Sequence, residues 1–428
     1  MATSIEGISR ELQEKAASAK IASRALAKVT TDAKNSALEA IAFALEERQD
    51  AVLAANRDDY EVARAGGMDE AMLDRLLLNE DRLAAIAADV RNVAALPDPI
   101  GESIDARVLP NGLSVSRRRV PLGIIAAVYE SRPNVTIDIS VLCLKSGNAV
   151  ILRGGHEAIR SNSALARVVQ EAVAEAGLPP DAIQIIESTD RDIVLQMLRY
   201  HGAIDLLIPR GGAGLVNFVR DNALIPVITG GIGVCHTYVD SPANLDDALN
   251  IAFNAKVQRP TVCNALDTLL VHSQAAQNLL PRLAEAWGAA GVEIRADRRA
   301  MTLFGPEPPA AVQSATEDDW GTEFLSLTAS VKIVDSMDEA LAHIEQFGSG
   351  HSEAIVTDDY RHATRFLDEV DAACVYVNAS TRFTDGSELG LGAEVAISTN
   401  KLHARGPMGL RELTSYKWTI MGAGHVRT

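Results

Sequence analysis

Residues 123–155, GIIAAVYESRPNVTIDISVLCLKSGNAVILRGG, decide the fold. Their first part, 123–129, is an apolar run of strand length, 135–145 has the length and apolar content of a helix, and 149–152 is a second strand. Glycines and a proline separate the three segments. A strand, a helix and a strand in this order predict a βαβ unit, and therefore a parallel sheet covered by helices.

The same alternation continues towards the C-terminus. It predicts further elements at 158–176, 183–186, 190–200, 203–208 and 215–222. A second set is predicted at 236–239, 243–255, 268–271, 274–287, 331–334, 337–346, 354–356 and 374–377. We therefore predict two α/β domains. Prolines and an acidic run in 297–322 predict a surface excursion between elements of the second domain.

The flanking regions differ from this pattern. Residues 1–95 follow the 3.6-residue period of amphipathic helices. Asn111-Gly112 lies between two extended runs and predicts a β-hairpin near 105–119. The tail 414–420 has the pattern of a strand, with no partner assigned in its own domain.

Composition excludes several classes of protein. The 428 residues include 40 Lys and Arg against 57 Asp and Glu, a net charge of −17, which disfavours nucleic acid and anionic lipid as partners. No apolar run has the length of a membrane span, and the N-terminus lacks a signal-peptide pattern, so we predict a cytoplasmic protein. The four cysteines form no C-x-x-C pair and the nine histidines no H-x-x-x-H pattern, so we predict no metal site and no disulfide.

One candidate ligand site is the glycine turn 206–215, LLIPRGGAGL. It follows a predicted strand and opens a helix, where backbone amides can approach a phosphate, and Arg210 adds positive charge. The alternative is a tight turn with a stray arginine. Neither G-x-G-x-x-G nor G-x-x-x-x-G-K-[ST] follows a strand, which disfavours an ordinary Rossmann or kinase-like nucleotide site.

The second candidate is Cys263, in KVQRPTVCN at 256–264. It follows a proline in an irregular segment, with Lys256 and Arg259 nearby in sequence to favour a thiolate. The sequence pattern leaves two roles open for Cys263, that of a catalytic nucleophile and that of a core cysteine. The other cysteines lie in apolar or strand-like runs and are predicted to be core residues.

Four segments carry a resemblance to a known family. They are YESRPN at 129–134, QRPTVCN at 258–264, the stretch 343–355, and GLGAE at 390–394 running on through HARGPMGL at 403–410. Together they resemble the aldehyde dehydrogenase superfamily, and closely its gamma-glutamyl phosphate reductase branch, also called glutamate-5-semialdehyde dehydrogenase. The resemblance covers nearly the whole chain. Phe347 is a small departure, since the family usually has His or Tyr there.

The resemblance implies roles for specific residues. Cys263 would be the nucleophile, and Asn134 would help the Cys263 backbone amide form an oxyanion hole. An NADPH/NADP⁺ site without the usual glycine fingerprint would involve Arg153, Gly211, Gly212 and Glu323. Arg132, Ser380, Thr381 and Arg382 are our candidates for the substrate's anionic and polar groups.

The implied reaction follows from a departure from the wider superfamily. Members that oxidise aldehydes to free acids use a Glu before Leu-Gly-Gly to activate water, whereas this chain has Ile228-Thr229-Gly230-Gly231 there. A reductase that starts from an acyl phosphate needs no such base. The resemblance therefore implies NADPH-dependent reduction of L-glutamyl 5-phosphate to L-glutamate 5-semialdehyde through a cysteine thioester, in proline biosynthesis.

The resemblance also implies an organisation. We expect an aldehyde dehydrogenase-like fold with an NADP-binding domain of 1–104 and 121–235, to which the chain returns at about 396–411. A catalytic domain would span 236–395, and 105–120 with 412–428 would form an oligomerisation element of a homodimer or tetramer. The lability of free γ-glutamyl phosphate would favour a transient complex with glutamate 5-kinase, for which no residue gives support.

Two rival functions stay open at this point. One is an aldehyde or acylating dehydrogenase with another substrate, which the phosphate dependence of the oxidative reaction would distinguish. The other is a catalytically silent dinucleotide-binding protein, against which the pairing of Cys263 with Asn134 argues.

Overall fold

The computed structural model of the chain describes residues 8–230, 233–308 and 310–427. Its contacts divide the chain into two compact units. The first unit comprises Met1–Gly230, Gly390–Ala396 and Met408–Thr428, and the second comprises Gly231–Leu389 and Ile397–Pro407.

The α-helices in chain order are α1 Arg10–Leu26, α2 Thr31–Glu47, α3 Gln49–Ala65, α4 Glu70–Leu76, α5 Glu80–Ala95, α6 Asn134–Lys145, α7 Ile159–Glu175, α8 Asp192–Leu198, α9 Ala213–Asn222, α10 Leu245–Val257, α11 Ser273–Ala289, α12 Arg298–Phe304, α13 Met337–Phe347 and α14 Tyr360–Glu369. None of these helices in the described ranges combines the length and hydropathy that a bilayer span requires.

The strands are β1 Ser103–Val108, β2 Ser114–Pro121, β3 Ile124–Tyr129, β4 Ala149–Gly154, β5 Ile183–Ile185, β6 Leu206–Arg210, β7 Cys235–Val239, β8 Leu266–His272, β9 Glu293–Ala296, β10 Ala311–Ser314, β11 Thr328–Val334, β12 Ser352–Val356, β13 Cys374–Val377, β14 Ile397–Ser398, β15 Gly406–Pro407 and β16 Thr414–Met421.

The first unit is built on a parallel four-stranded sheet of order β5-β4-β3-β6. All six residues of β3 are buried, as are most of α6, because helices cover both faces of the sheet. The strand order reverses direction at β3, so the carboxyl ends of β3 and β6 flank a topological switch point. Ligands of open α/β sheets bind at such points, which makes the β3–α6 and β6–α9 loops the ones to inspect.

The second unit contains a parallel seven-stranded sheet of order β10-β9-β11-β8-β7-β12-β13. Its core includes Trp287 of α11, which is fully buried against the apolar side chains of β8, β9 and β11. The strands β7 and β8 lie at the centre of the sheet. The segment that joins α10 to β8 carries Cys263.

The α/β fold with two parallel sheets is confirmed. The predicted hairpin is present as the antiparallel pair β1 and β2, with Asn111-Gly112 in the turn between them. The tail does have a strand partner within its own unit, because β16 pairs antiparallel with β2 over the whole of its length.

One sequence-based expectation needs correction. Residues 297–322 are more ordered than a surface excursion, since they contain α12 and β10, although Pro309 lies outside the described residues. The hydrophobic pattern does not reveal β10, because β10 is a short edge strand whose residues are mostly exposed. The two compact units meet at 230/231, and residues 397–407, where β14 pairs with β15, group with the second unit, while the domain roles implied by the resemblance stay predictions.

Candidate active site

The β3–α6 loop of the first unit is held in an unusual backbone conformation. Ser131 has a φ of +43°, in the left-handed region that non-glycine residues rarely adopt. Glu157 stabilises it, because its Oε1 accepts hydrogen bonds from the Ser131 backbone N–H at 2.6 Å and from the Ser131 hydroxyl at 2.8 Å. Strain of this kind clusters at functional sites. The turn that presents Arg132 and Asn134 is therefore fixed by a carboxylate that the sequence did not reveal.

Asn134 is the first residue of α6 and has a partner one turn further on. Its Nδ2 donates to Asp138 Oδ2 at 2.9 Å. Burial raises the pKa of Asp138 to about 6, against the opposing effects of the Arg210 charge and the Asn134 hydrogen bond. The i,i+4 spacing on one helix face could have identified Asp138 from the sequence.

Arg153 lies at the carboxyl end of β4 and is 8% exposed. Its Nη2 donates to the backbone oxygens of Thr189 at 3.2 Å and Asp190 at 3.4 Å. Its Nε is buried without a hydrogen-bond partner. Burial lowers the pKa of this guanidinium, which means that its charge is poorly solvated. A bound anion or hydroxyl would relieve that cost.

The glycine turn precedes α9. A Cβ on Gly211 would overlap the carboxylate of Glu130, whereas a Cβ on Gly212 would meet nothing within 4 Å. Glu130 Oε2 accepts from the Gly212 backbone N–H at 3.0 Å. The predicted phosphate turn therefore already has a carboxylate on one of its amides, and an anionic ligand would need the amides further into the first turn of α9.

Cys263 is partly exposed in the turn between α10 and β8. Its backbone is packed so tightly against Gly233 that a Cβ on Gly233 would overlap the Cys263 carbonyl. That carbonyl accepts a hydrogen bond from Cys235 Sγ at 3.2 Å. Cys235 and Cys143 are fully buried, and burial raises the pKa of both thiols, as expected of core cysteines. Cys374 of β13, also predicted to be a core residue, is instead partly exposed like Cys263, because β13 is an edge strand.

Asn264 joins the Cys263 turn to the segment that follows β13. Its side-chain Nδ2 donates to the backbone carbonyls of Arg382 at 3.2 Å and Thr384 at 2.9 Å. The backbone carbonyl of Asn264 accepts from the Thr381 hydroxyl at 2.7 Å. The structure therefore brings Ser380, Thr381 and Arg382 to the cysteine. Thr381 is fully buried and its hydroxyl is used in holding the turn, so it has a structural part here.

Positive charge near Cys263 comes from Arg382. Its Nε donates to Gln258 Oε1 at 2.8 Å. Burial and the neighbouring Arg259 lower the pKa of Arg382, while the charge of Cys263 acts in the opposite direction. A neighbouring cation favours the thiolate form of a cysteine.

The sequence position of Lys256 indicated that it favours the Cys263 thiolate, whereas in the structure its ammonium group faces Asp267. It is fully buried, its Nζ lies 3.7 Å from Asp267 Oδ1, and it sits over the Phe324 ring. Burial raises the pKa of Asp267 to about 7, while Lys256 and two backbone N–H groups, of Phe324 and Cys235, oppose the shift. The pair links three segments of the unit and leaves the charge of Lys256 facing Asp267.

Glu323 reaches the same region of the second unit. Its Oε1 accepts from the Gly233 backbone N–H at 2.9 Å, and Gly233 contacts the Cys263 backbone. Burial raises the pKa of this carboxyl, against the Gly233 hydrogen bond. The ribose role expected for Glu323 stays a prediction.

The predicted site residues thus form two groups. Arg132, Asn134, Arg153, Gly211 and Gly212 belong to the first unit; Cys263, Glu323, Ser380, Thr381 and Arg382 belong to the second. Gly231 lies outside the described residues. Within the described ranges no group of three or more His, Cys, Asp or Glu side chains could hold a metal ion.

Comparison with known proteins identifies the family. The model of the aldehyde dehydrogenase family matches residues 2–307. A gamma-glutamyl phosphate reductase of Dehalococcoides mccartyi is 58% identical, covering 97% of this chain and 98% of the relative. The chain belongs to the aldehyde dehydrogenase superfamily. Within the superfamily it groups with the gamma-glutamyl phosphate reductases, among which that of Moorella thermoacetica is 54% identical over 98% of this chain and 99% of its own.

A solved structure shows the same superfamily fold. The crystal structure of gamma-glutamyl phosphate reductase from Thermotoga maritima matches with a TM-score of 0.95 and 47% identity, over 98% of this chain and 100% of that chain. Membership in this superfamily of oxidoreductases implies a nicotinamide cofactor. Within the first unit, the buried and unpartnered Nε of Arg153 is a donor that could meet a polar group of such a cofactor.

Proposed function

We propose that this chain reduces L-glutamyl 5-phosphate to L-glutamate 5-semialdehyde with NADPH, releasing phosphate, in proline biosynthesis. The observation that carries the proposal is Cys263, a partly exposed thiol whose backbone is held from several sides, in a chain similar from end to end to proteins named gamma-glutamyl phosphate reductase. Those names supply the substrate. The partial exposure of Cys263 supports its proposed part as the nucleophile.

The chemistry begins at Cys263. The thiolate, favoured by the Arg382 charge, attacks the acyl carbon, and the bond to the phosphate oxygen breaks to leave a thioester and inorganic phosphate. The Asn134 amide and the Cys263 backbone N–H would stabilise the oxyanion that develops. NADPH, when bound, supplies the hydride that reduces the thioester. The C–S bond of the resulting thiohemiacetal then breaks, which regenerates the Cys263 thiolate and releases the aldehyde.

The binding roles divide between the two groups of residues. Arg153, Gly211 and Gly212 in the first unit and Glu323 in the second would hold the dinucleotide. Arg132 and Arg382 would pair with the phosphate and α-carboxylate of the substrate, and Ser380 with Thr381 would complete the polar surface. No carboxylate stands in the Ile228-Thr229-Gly230-Gly231 stretch, so the thioester is spared from hydrolysis by a base at that position.

The experiment is NADP⁺ reduction with glutamate 5-semialdehyde, with and without inorganic phosphate. We expect turnover that requires phosphate and falls by at least about 10³-fold in Cys263→Ala, because the covalent route is lost. Cys143→Ala is the matched control, since this second thiol is fully buried in α6 of the first unit and should leave turnover within about tenfold of the wild type.

Other outcomes would contradict parts of the proposal. Turnover without phosphate would mean that water deacylates the enzyme. Equal losses in both cysteine variants would mean that the effect is structural, and full activity in Cys263→Ala would exclude thioester chemistry.

The three-stranded sheet β1-β2-β16 would be the oligomerisation element. Its strand β16 exposes large apolar side chains, with Trp418 at 52%, Ile420 at 62% and Met421 at 70%. Covering these side chains with a second copy would remove apolar area from water. Light scattering after size exclusion should give a dimer or tetramer, and a single species of 45.6 kDa would refute the assignment. The kinase complex and the cytoplasmic location stay predictions.

A further inference from the structure

The stretch 343–355 contributes to the family resemblance, yet the proposed reaction uses none of its residues. Two neighbours in this stretch, His351 and Ser352, are buried, with 1% and 0% of their surface exposed. Buried polar side chains need partners, because removing a polar group from water without a hydrogen bond is costly. The partners of these two side chains lead to Cys263.

One path runs from His351 through the thiol of Cys235. The His351 Nδ1 lies 3.9 Å from Cys235 Sγ. Cys235 Sγ in turn donates to the backbone carbonyl of Cys263 at 3.2 Å. Cys235 is the first residue of β7 and is fully buried. His351 is therefore two contacts away from the backbone of the proposed nucleophile.

A second path runs from His351 through Ser352. The Ser352 Oγ lies 2.8 Å from His351 Nδ1 and 2.7 Å from Thr384 Oγ1. The backbone carbonyl of Thr384 accepts from the Asn264 side chain at 2.9 Å, and Asn264 follows Cys263 in the chain. The two paths therefore form a closed network, which leaves Cys263 at its carbonyl and returns to it through the next residue. The members of the closed network are Cys235, Cys263, Asn264, His351, Ser352 and Thr384.

The closed network requires one tautomer of His351. Burial lowers the pKa of its imidazole to about 4, so the ring is neutral near pH 7. Its Nε2 is buried without a hydrogen-bond partner, and orphaned N–H groups are rarer in folded proteins than acceptors without a donor. These constraints assign the proton to Nδ1. The Cys235 S–H is then free for the Cys263 carbonyl, and the Ser352 hydroxyl proton is free for Thr384.

We propose that His351 is a positioning residue that fixes the backbone of Cys263, and with it the direction from which the thiolate attacks the carbonyl carbon of the substrate. It acts through Cys235 on one side and Ser352 on the other, since a side chain this deeply buried does not reach a substrate. The inference rests on the proposed function, because it takes Cys263 as the nucleophile. The closed network is neutral, so its loss should disturb the geometry of attack and leave the ionisation of the thiol, which the Arg382 charge favours.

The test compares His351→Leu with His351→Asn in the phosphate-dependent reduction of NADP⁺ with glutamate 5-semialdehyde. Leucine donates no hydrogen bond, so kcat should fall roughly 10- to 100-fold while the KM for the aldehyde stays within about threefold. The amide Nδ2 of asparagine can donate from the place of His351 Nδ1, so His351→Asn should recover kcat to within about fivefold of the wild type. The rate at which iodoacetamide alkylates Cys263 should not change in either variant.

His343→Leu is the matched control. His343 is a buried histidine of the same stretch, with 3% of its surface exposed, and it lies outside the closed network. The same substitution there should keep kcat within about twofold of the wild type. The thermal unfolding midpoint of each leucine variant separates a loss of stability from a loss of kcat.

Ser352→Ala opens the closed network with a smaller change in volume, and it serves also if His351→Leu does not fold. It should lower kcat roughly three- to tenfold without a change in KM. The double variant with His351→Leu should lose little more than His351→Leu alone, because both substitutions open the same network.

Several results would overturn the positioning role of His351. They are equal losses of kcat in His351→Leu and His343→Leu, a rise in KM without a fall in kcat, no recovery in His351→Asn, and wild-type kcat in Ser352→Ala. Failure of the proposed function has a different signature, since full activity in Cys263→Ala would refute the nucleophile and this inference with it. Phosphate-dependent turnover that requires Cys263 but is unchanged in His351→Leu would refute the positioning role alone.

Discussion

The Cys263 turn of the second unit and the glycine turn of the first unit are built in opposite ways. The Cys263 turn is held by the Cys235 thiol, by the Thr381 hydroxyl and by the Asn264 amide, which reaches two carbonyls. The glycine turn has a single carboxylate, that of Glu130, on the Gly212 amide, and Gly212 faces open space. One turn is fixed by side chains, and the other leaves its backbone accessible.

The difference matches what each turn has to do in the proposed reaction. A nucleophile must keep its position to within a fraction of an ångström, because a small misplacement costs orders of magnitude in rate. A phosphate group needs backbone amides that it can approach closely, which requires small residues and open space. Side-chain hydrogen bonds supply rigidity to the first turn, and glycine supplies access at the second.

Among the substitutions that test this comparison, Asn264→Ala has the largest expected effect. The variant removes both hydrogen bonds to the carbonyls of Arg382 and Thr384, so kcat should fall by about 10²-fold. The unfolding free energy should fall by about 2 to 3 kcal/mol. Asn244→Ala, which removes the N-cap of α10 in the same unit, should cost about 1 kcal/mol without the loss of kcat. Steady-state kinetics and urea denaturation measure both, and equal kcat losses would refute a specific role for the clamp.

Arg153→Ala should act on the cofactor and leave the nucleophile alone. Loss of a charge-assisted hydrogen bond predicts a fall in kcat/KM for NADP⁺ of roughly ten- to a hundredfold. The rate at which iodoacetamide alkylates Cys263 without cofactor should not change. Arg160→Ala removes an exposed guanidinium that pairs with Asp59 and should alter neither quantity. An unchanged KM in Arg153→Ala would place the dinucleotide elsewhere.

Asp138→Asn tests the electrostatics of the first unit. The folded chain raises the pKa of Asp138 from 3.8 to about 6, so it binds the proton more tightly than the unfolded chain does. The contribution of this group to stability is therefore present below about pH 4 and is lost as the pH rises through about 6. The amide of Asp138→Asn does not titrate, so the variant lacks this loss of stability with rising pH.

The measurement for Asp138 is urea denaturation at about pH 4 and about pH 7. The stability of the wild type relative to Asp138→Asn should fall by roughly 1 to 3 kcal/mol between the two. Asp58→Asn, at an exposed site on α3, should keep the wild-type pH profile. A parallel profile in Asp138→Asn would show that Asp138 does not titrate in this range.

The smallest effects are expected at the glycine turn. Gly212→Ala should leave the unfolding free energy within about 1 kcal/mol, because its Cβ meets nothing. It should raise the KM for NADP⁺ by roughly three- to tenfold if the pyrophosphate approaches this turn. Gly211→Ala should instead cost about 1 to 2 kcal/mol, since its Cβ overlaps Glu130. Gly212→Ala therefore tests whether the cofactor approaches the turn, and Gly211→Ala tests the packing of the turn against Glu130. An unchanged KM in Gly212→Ala would exclude the turn as a cofactor contact.

Most of the fold could be predicted from the sequence, because hydrophobic period and turn residues are local properties. The apolar runs of 123–145 predict the strand β3 and the helix α6, and Asn111-Gly112 predicts the hairpin. The strand β10 could not be predicted, since four mostly exposed residues carry no period. The residue pattern assigned no partner to the tail, because pairing of β16 with β2 joins residues about three hundred positions apart, and only the family resemblance grouped the tail with the hairpin.

The candidate site divides in the same way. The sequence by itself determined the nucleophile candidate, the family and the absence of a hydrolytic base, because each depends on which residues occur in a short motif. Only the tertiary structure decided that Glu157 holds Ser131, that Glu130 covers the Gly212 amide and that Lys256 faces Asp267. The physical reason is that a hydrogen bond or an ion pair depends on distance in space, and folding brings together side chains that no local pattern relates.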